Sequence, residues 1–117
     1  MARTKKTPFP PWSTTKNNGI EQRYIRLGNS LLLNEAVLNL SHATFHILVY
    51  MYLESAGKKD FEFPYSKYKT IISKRGFQLA LKELIDKGFI DVRVNRAHLR
   101  MPTIYSFSCR WREQIKQ

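Results

Sequence analysis

Cysteine and acidic residues are both scarce in this chain of 117 residues. The only cysteine is Cys109, which excludes an intrachain disulfide and a cluster of thiolate metal ligands. The nine Asp and Glu are scattered, and none suggests the paired carboxylates of a hydrolase. The glycines stand singly, so the chain has no glycine-rich phosphate loop. His42 and His46 have metal-ligand spacing, but no third ligand follows at a telling distance. We therefore predict no cofactor, no metal and no enzymatic activity.

Long apolar runs are also missing. The most apolar segment, residues 42–55, is shorter than the roughly 20 residues that span a bilayer. No apolar segment follows the first basic residues, as it would in a secretory signal. Together with the single cysteine, these absences predict a cytoplasmic protein.

Basic residues are abundant by comparison. The chain has 20 Lys and Arg, a formal charge of +11 and a pI near 10.0, with basic clusters in residues 1–18 and 93–117. Such an excess favours binding to a polyanion with a strong dependence on salt. If about six phosphates are contacted, the log-log salt slope should lie near −5.

The length allows one domain with a modest core. Residues 1–18 contain three prolines and no periodic pattern, which predicts a flexible basic arm. Residues 19–112 form the predicted domain, and residues 113–117 form a short basic tail. Phe9 and Trp12 are unusual in such an arm, and we expect them to pack onto the domain or to dock on a partner.

Two helices are predicted with definite ends. Ser41 can cap a helix over residues 42–55, which Gly57 would stop. Ser73 and Gly88 can likewise begin and end a second helix. The stripe expected to face the core is Phe45, Leu48, Val49 and Tyr52 in the first helix, and Phe77, Leu81, Leu84 and Ile85 in the second.

The other side of the second helix is mostly basic. Arginine can pair with guanine, glutamine with adenine, and lysine with guanine or phosphate. A solvated helix face with no binding role explains the same pattern equally well. The residues opposite the apolar stripe are Arg75, Leu79, Lys82 and Asp86, and Lys74 and Gln78 lie on its flank.

A small sheet is predicted around this helix. Residues 61–63 and 89–95 alternate as strands do, with Ile90, Val92 and Val94 on the buried face of the second. Residues 103–108 are rich in β-formers and can pair back as a hairpin. The loop between these strands is basic and would project beside the helix.

The chain resembles a known group of proteins. The resemblance lies in Leu40-Ser41 followed by an apolar helix, in Phe63-Pro64-Tyr65-Ser66, in the helix from Ser73 to Leu84, and in Lys87-Gly88-Phe89-Ile90-Asp91-Val92. These features look like the winged helix-turn-helix of bacterial replication-initiator and replisome-organiser proteins, which plasmids, phages and integrative elements carry. The resemblance covers about residues 30 to 112.

The resemblance implies an α+β fold, a winged helix-turn-helix with a three-helix core, a small antiparallel sheet and a β-wing. It implies double-stranded DNA as the partner, with the recognition helix over 74–87 in the major groove and the wing over 95–102 on the backbone. Other replication or regulatory proteins would be further partners. The DNA-binding residues expected on this basis are Lys67, Lys69, Lys74, Arg75, Gln78, Lys82, Arg93, Arg96, His98 and Arg100.

Two positions depart from the group's pattern, and three alternative functions stay open. Gly76 and Leu79 replace residues that are often polar in the group, which weakens the case for base-specific binding. A transcriptional regulator of the same fold is one alternative. An interaction adaptor anchored by Leu79, Phe9 and Trp12 is another. The third is RNA binding, with aromatic stacking by Tyr24, Tyr65 and Tyr105.

Overall fold

A computed structural model of the chain describes residues 8–96 and 99–115. Within these residues the chain forms five α-helices and one three-stranded antiparallel sheet, which confirms the predicted α+β class. The helices are α1 (Asn29–Leu32), α2 (Glu35–Leu38), α3 (His42–Ser55), α4 (Tyr65–Tyr68) and α5 (Lys74–Asp86). The strands are β1 (Asp60–Glu62), β2 (Ile90–Val94) and β3 (Ile104–Phe107), and 3-10 helical turns lie at Pro11–Ser13 and Arg110–Ile115.

Helix α3 spans the predicted residues 42–55, and the left-handed turn that ends it begins at Ala56, one residue before the predicted stop. The Ser41 hydroxyl accepts a hydrogen bond from the Thr44 amide at 3.3 Å. At the other end Ala56 already has the left-handed φ of 53°, and Gly57 follows with a φ of 83°. The helix ends where the backbone first turns left-handed, and glycine extends the turn.

The buried side of α3 differs from the predicted stripe. Ile47, Leu48 and Met51 are fully buried, whereas Phe45 and Tyr52 are only half-buried. Helix α5 and strand β1 both pack against α3. The side of α3 that they cover is shifted from the side that carries the predicted stripe. Apolar residues cover most of the circumference of α3, and its periodicity therefore could not select the buried arc.

Helix α5 has both predicted ends. The Ser73 hydroxyl accepts a hydrogen bond from the Gly76 amide at 3.0 Å, and Gly88 takes the left-handed φ of 86°. Phe77 and Leu84 are buried as predicted. Ala80 is buried as well, although the predicted stripe omitted it.

The predicted hairpin is present, and β3 is its central strand. The strand order is β1-β3-β2, with Tyr105 opposite both Phe61 and Val92. The expectation that Val92 and Val94 are buried is wrong, since they are 44% and 45% exposed. A bulge between these two residues breaks the register, and the helices cover only the end of β2 next to α5.

The C-terminal 3-10 turn closes one side of the core. The rings of Phe89 and Trp111 stack with centroids 5.4 Å apart, and the Trp111 amide donates to the Gly88 carbonyl at 3.2 Å. A Cβ on Gly88 would lie 2.8 Å from the Trp111 nitrogen. Glycine is thus required here twice, for its left-handed φ and for the close approach of the turn.

The two aromatics of the N-terminal segment behave differently. The Phe9 ring meets the Tyr24 ring edge-on at 5.4 Å, and the Phe9 amide donates to the Gly19 carbonyl. Trp12 is 87% exposed, so it does not pack onto the domain, and the alternative that it docks on a partner stays a prediction. Phe9 therefore fastens residues 8–19 to the domain, while Trp12 projects from it.

Candidate nucleic-acid interface

One side of α5 is exposed along its whole length. Phe77, Ala80 and Leu84 turn toward the core, and the residues on the opposite side of the helix face solvent. We call this surface the α5 face and define it by its exposed residues Arg75, Gln78, Leu79 and Lys82. Within the described part of the chain, the side chains of Arg75, Gln78 and Lys82 have no hydrogen-bond or ion-pair partner. They are available to bind another molecule.

Aromatic stacking fixes the angle between α4 and α5. The rings of Tyr68 and Phe77 stack with centroids 4.0 Å apart, and Phe63 adds a third ring 5.8 Å from Phe77. Phe63 follows β1, so this cluster ties the sheet and both helices together. Buried aromatic pairs of this kind stabilise by about 0.5–1.5 kcal/mol beyond the area that they bury.

Gly76 has a packing role in the connection between these helices. The Ile72 amide donates to the Tyr68 carbonyl at 3.0 Å, which folds the chain back after α4. A Cβ on Gly76 would lie 2.6 Å from Cγ1 of Ile72. Glycine lets the first turn of α5 approach the Ile72 side chain, and this contact explains a residue that lowers intrinsic helix propensity.

The lysines of α4 and of the start of α5 differ in their interactions with neighbouring side chains. The Lys74 ammonium lies 4.7 Å from the centroid of the Tyr65 ring, a cation-π distance. Lys67 pairs with Glu54 at 3.3 Å, whereas Lys69 is exposed and has no ion pair in the described residues. Hydrogen bonding from Arg23, together with Lys67, lowers the pKa of Glu54 against the opposing effect of burial.

Of the predicted wing residues that the structure describes, one is held by internal hydrogen bonds and one is exposed. Arg96 is half-buried, because its guanidinium donates to Glu62 at 2.7 Å and to the Pro102 carbonyl at 2.9 Å. It braces the two ends of the loop. Arg100 is exposed with a left-handed φ of 56°. The predicted contact at His98 lies outside the described residues.

Arg93 belongs to another surface, the outer face of the sheet. The Nε of Arg93 lies 3.6 Å from Oδ2 of Asp60. Arg110 pairs with Asp91 on the same face. Ser106 in the central strand is paired with Asp60 on one side and with Asp91 on the other, so the two aspartates point to the same face. Cross-strand ion pairs thus neutralise this face. The structure groups neither Arg93 nor Arg96 with the α5 face.

One group of unpaired cations lies on α5 and on the connection that precedes it. Lys69, Arg75 and Lys82 have no acidic partner in the described chain, and Lys74 faces an aromatic ring. The acids of α5 are Glu83, which pairs with Lys87 at 3.3 Å, and Asp86 near the helix end. The result is a positive potential at the N-terminal part of the helix.

Glu83 anchors α5 to the start of α3. Its carboxylate accepts hydrogen bonds from the Thr44 hydroxyl at 2.6 Å, the Ser41 amide at 3.1 Å and the Ser41 hydroxyl at 3.0 Å. Burial opposes ionisation, but the bonds from Thr44, Ser41 and Lys87 together lower the pKa of Glu83. The carboxylate also complements the positive end of the α3 dipole.

Two of the residues that shape this region, Glu83 and Arg110, were not among the predicted site residues. Glu83 and its partner Thr44 are 39 residues apart. Arg110 reaches the Ile85 carbonyl at 3.3 Å from 25 residues away. No local pattern signals such contacts, because spacing along the chain does not encode them.

No group of three or more His, Cys, Asp or Glu that could hold a metal occurs among the described residues. Cys109 is an exposed free thiol just beyond the end of β3. None of the helices in the described residues is long and apolar enough to cross a membrane. Comparison of the chain with known protein families, curated proteins and solved structures finds no match.

Proposed function

We propose that this chain is a winged helix-turn-helix protein that binds double-stranded DNA through the α5 face. The order α3, β1, α4, α5, β2, β3 and the sheet order β1-β3-β2 suit such a fold, with residues 95–102 as the wing. The observation that carries the proposal is the α5 face itself, where Arg75, Gln78 and Lys82 are exposed and unpaired. A helix presented in this way fits the major groove of B-DNA.

The chemistry of binding follows from the positions of the side chains. Arg75 and Gln78, one turn apart in the first half of α5, would donate to the edges of guanine and adenine. Lys69 and Lys82 would contact phosphates on either side, and these contacts set register and affinity without sequence information. Arg100 would add a phosphate contact from the wing.

Within this proposal we favour replication initiation or maintenance of a mobile genetic element, in the cytoplasm and without catalytic activity. Support comes from the resemblance of Phe63-Pro64-Tyr65-Ser66 and of the strand after Gly88 to replication-initiator proteins. A transcriptional regulator would use the same surface in the same way. Fold similarity alone does not separate these two roles.

A protein-interaction adaptor is the second candidate, and one observation favours it. Leu79 is 61% exposed in the middle of the α5 face, where a leucine gains nothing from solvent. On DNA it would touch a thymine methyl group, and on a protein it would fill an apolar pocket. Replacing Leu79 with Glu should abolish a protein contact, and retention of a captured partner by this variant would contradict the adaptor.

The deciding experiment is a titration of a random-sequence duplex with the double variant Arg75→Ala, Lys82→Ala. We expect an affinity loss of at least about 10-fold and a salt slope shallower by about 1 to 2, measured by fluorescence anisotropy. The melting temperature should stay nearly unchanged, because both side chains are exposed.

The matched control is Lys58→Ala, Lys59→Ala, which removes the same charge from exposed positions between α3 and β1. This control should weaken duplex binding by no more than about twofold, because it lowers the long-range electrostatic attraction of the protein for DNA without removing a contact. Equal losses in the two double variants would contradict the α5 face as the binding surface.

A further inference from the structure

A second concave surface lies away from α5. It forms where residues 24–26 pass the C-terminal end of α3 and the ring of Phe107 in β3. We call it the Tyr24 groove and define it by the lining residues Tyr24, Arg26, Tyr52, Gly57, Lys58 and Phe107. None of these residues belongs to the α5 face.

Tyr24 offers an aromatic face at the edge of this groove. Its ring is 59% exposed and is oriented by the edge-on contact with Phe9. Two other tyrosines were considered for stacking. Tyr105 is buried in the sheet, and the Tyr65 ring already has the Lys74 ammonium over it. Tyr24 is therefore the one of the three that is free to receive a base.

The groove is basic as well as aromatic. Arg26 and Lys58 line it, and Lys59 follows next in the chain. All three are exposed, and their side chains have no ion pair within the described residues. No acidic side chain is among the described residues that line the groove. A polyanion in the groove would meet Arg26 and Lys58 without displacing an internal partner, and Lys59 lies beside the groove, next to Lys58 in the chain.

The end of α3 leaves space for a flat group. Ala56 has only a methyl side chain, Gly57 has none, and their φ values are left-handed at 53° and 83°. A Cβ built on Gly57 would meet no atom within 4 Å, so this side of the groove is open. The negative end of the α3 dipole lies here and disfavours phosphate. Bases would thus occupy the helix end, while phosphates would lie beside the cations at the rim.

We propose that the Tyr24 groove binds single-stranded nucleic acid, with one base stacked on Tyr24 and adjacent phosphates held by Arg26, Lys58 and Lys59. Aromatic faces beside a basic track are the usual means of binding unpaired strands, since every base has a face that stacks. The groove is separate from the α5 face, so this proposal does not rest on the proposed duplex binding.

The test uses labelled oligothymidylate and oligouridylate of about 12 nucleotides, a length within the range that such sites cover. In anisotropy titrations Tyr24→Leu should weaken binding about 5- to 150-fold, the range expected for one lost stack. Tyr24→Phe keeps the ring and should bind like the unaltered protein. The stronger of the two probes identifies DNA or RNA as the strand.

The double variant Lys58→Ala, Lys59→Ala keeps the proposal testable if Tyr24→Leu disturbs the Phe9 contact. It should flatten the single-strand salt slope by about 1.4, because each phosphate contact contributes about 0.7. Arg75→Ala, Lys82→Ala is the matched control and should weaken oligothymidylate binding by no more than about twofold, because it removes the same charge outside the groove.

Two results would overturn the proposal. One is unchanged single-strand affinity in both Tyr24→Leu and the Lys58, Lys59 double variant. The other is that the Arg75, Lys82 variant and the Lys58, Lys59 variant each lose duplex binding and single-strand binding to the same extent. That result would mean that one diffuse basic surface binds both kinds of nucleic acid. Loss of duplex binding alone in the Arg75, Lys82 variant would leave the groove intact and test only the α5 face.

Discussion

The carboxylate of Glu83 accepts a 2.6 Å hydrogen bond from the hydroxyl of Thr44, a residue 39 positions earlier in the chain. Thr44 is buried near the start of α3, and Glu83 lies in the last part of α5. The pair fixes the helix that carries the α5 face against the central helix of the core. The orientation of the candidate interface therefore depends on a contact far from the interface itself.

Replacing Glu83 with Gln should destabilise the protein in a pH-dependent way. Because folding lowers the pKa of Glu83, its stabilisation is complete above the ordinary glutamate pKa of about 4.3. The stabilisation is lost as the pH falls through the lower pKa of the folded state. We expect a loss of about 1–3 kcal/mol in the free energy of unfolding at pH 7, and a smaller difference near pH 3.

Denaturant melts at several pH values would measure this effect. Asp86→Asn is a suitable control, because Asp86 is an exposed acid on the same helix without an ion pair in the described residues. A difference between Glu83→Gln and the unaltered protein that stays constant from pH 7 to pH 3 would contradict the assigned role.

Leu84→Ala should be costly, and Leu79→Ala should not. Leu84 is fully buried under α3, and its truncation should reduce the free energy of unfolding by about 2–5 kcal/mol. Leu79 is on the same helix but exposed, so the identical substitution should change stability by about 0.5 kcal/mol or less. Similar melting temperatures for the two variants would refute the placement of the core.

Gly76→Ala should destabilise the protein although alanine favours helices. The added Cβ would lie 2.6 Å from Cγ1 of Ile72, and such overpacking costs about 1–3 kcal/mol. In an Ile72→Ala background the clash disappears, and the same substitution should become neutral or stabilise by up to about 1 kcal/mol. Thermal melts of this double-mutant cycle would show the change of sign, and simple additivity would rule out the Ile72 contact as its cause.

Trp111→Ala should reveal how much the C-terminal turn contributes to the core. Trp111 is buried and stacks on Phe89, so we expect a loss of about 3–5 kcal/mol in chemical denaturation. Trp12→Ala removes the same side chain from a position that is 87% exposed and should leave stability nearly unchanged. If both variants unfold at the same denaturant concentration, the turn does not close the core.

The elements that sequence predicted well are those with local signals. Both ends of α5 follow from Ser73, which caps within three residues, and from Gly88, which turns left-handed. The start of α3 follows from Ser41 in the same way. By contrast, the four-residue helix α1 has no side-chain cap, and it was not predicted. Capping acts over one turn, so a single sequence contains all the information that it needs.

The candidate site was predicted only in part for a related reason. The α5 face follows from helical periodicity, and its polar residues are exposed as expected. Arg93 and Arg96 were assigned to the same site because they are basic and adjacent to it in the chain. Their actual neighbours are Asp60 and Glu62 of β1, which strand pairing brings to them from more than 30 residues away.

The sequence by itself determined the two main helices, the hairpin, the charge and the polar face of α5. These features depend on side-chain chemistry and on periods of two to four residues, which act before any long-range contact forms. Only the tertiary structure decided which cations stay unpaired, which side of α3 is buried and which residues line the Tyr24 groove. Those outcomes depend on distances between residues that are remote in the chain, and such distances are set when helices and sheet pack around one core.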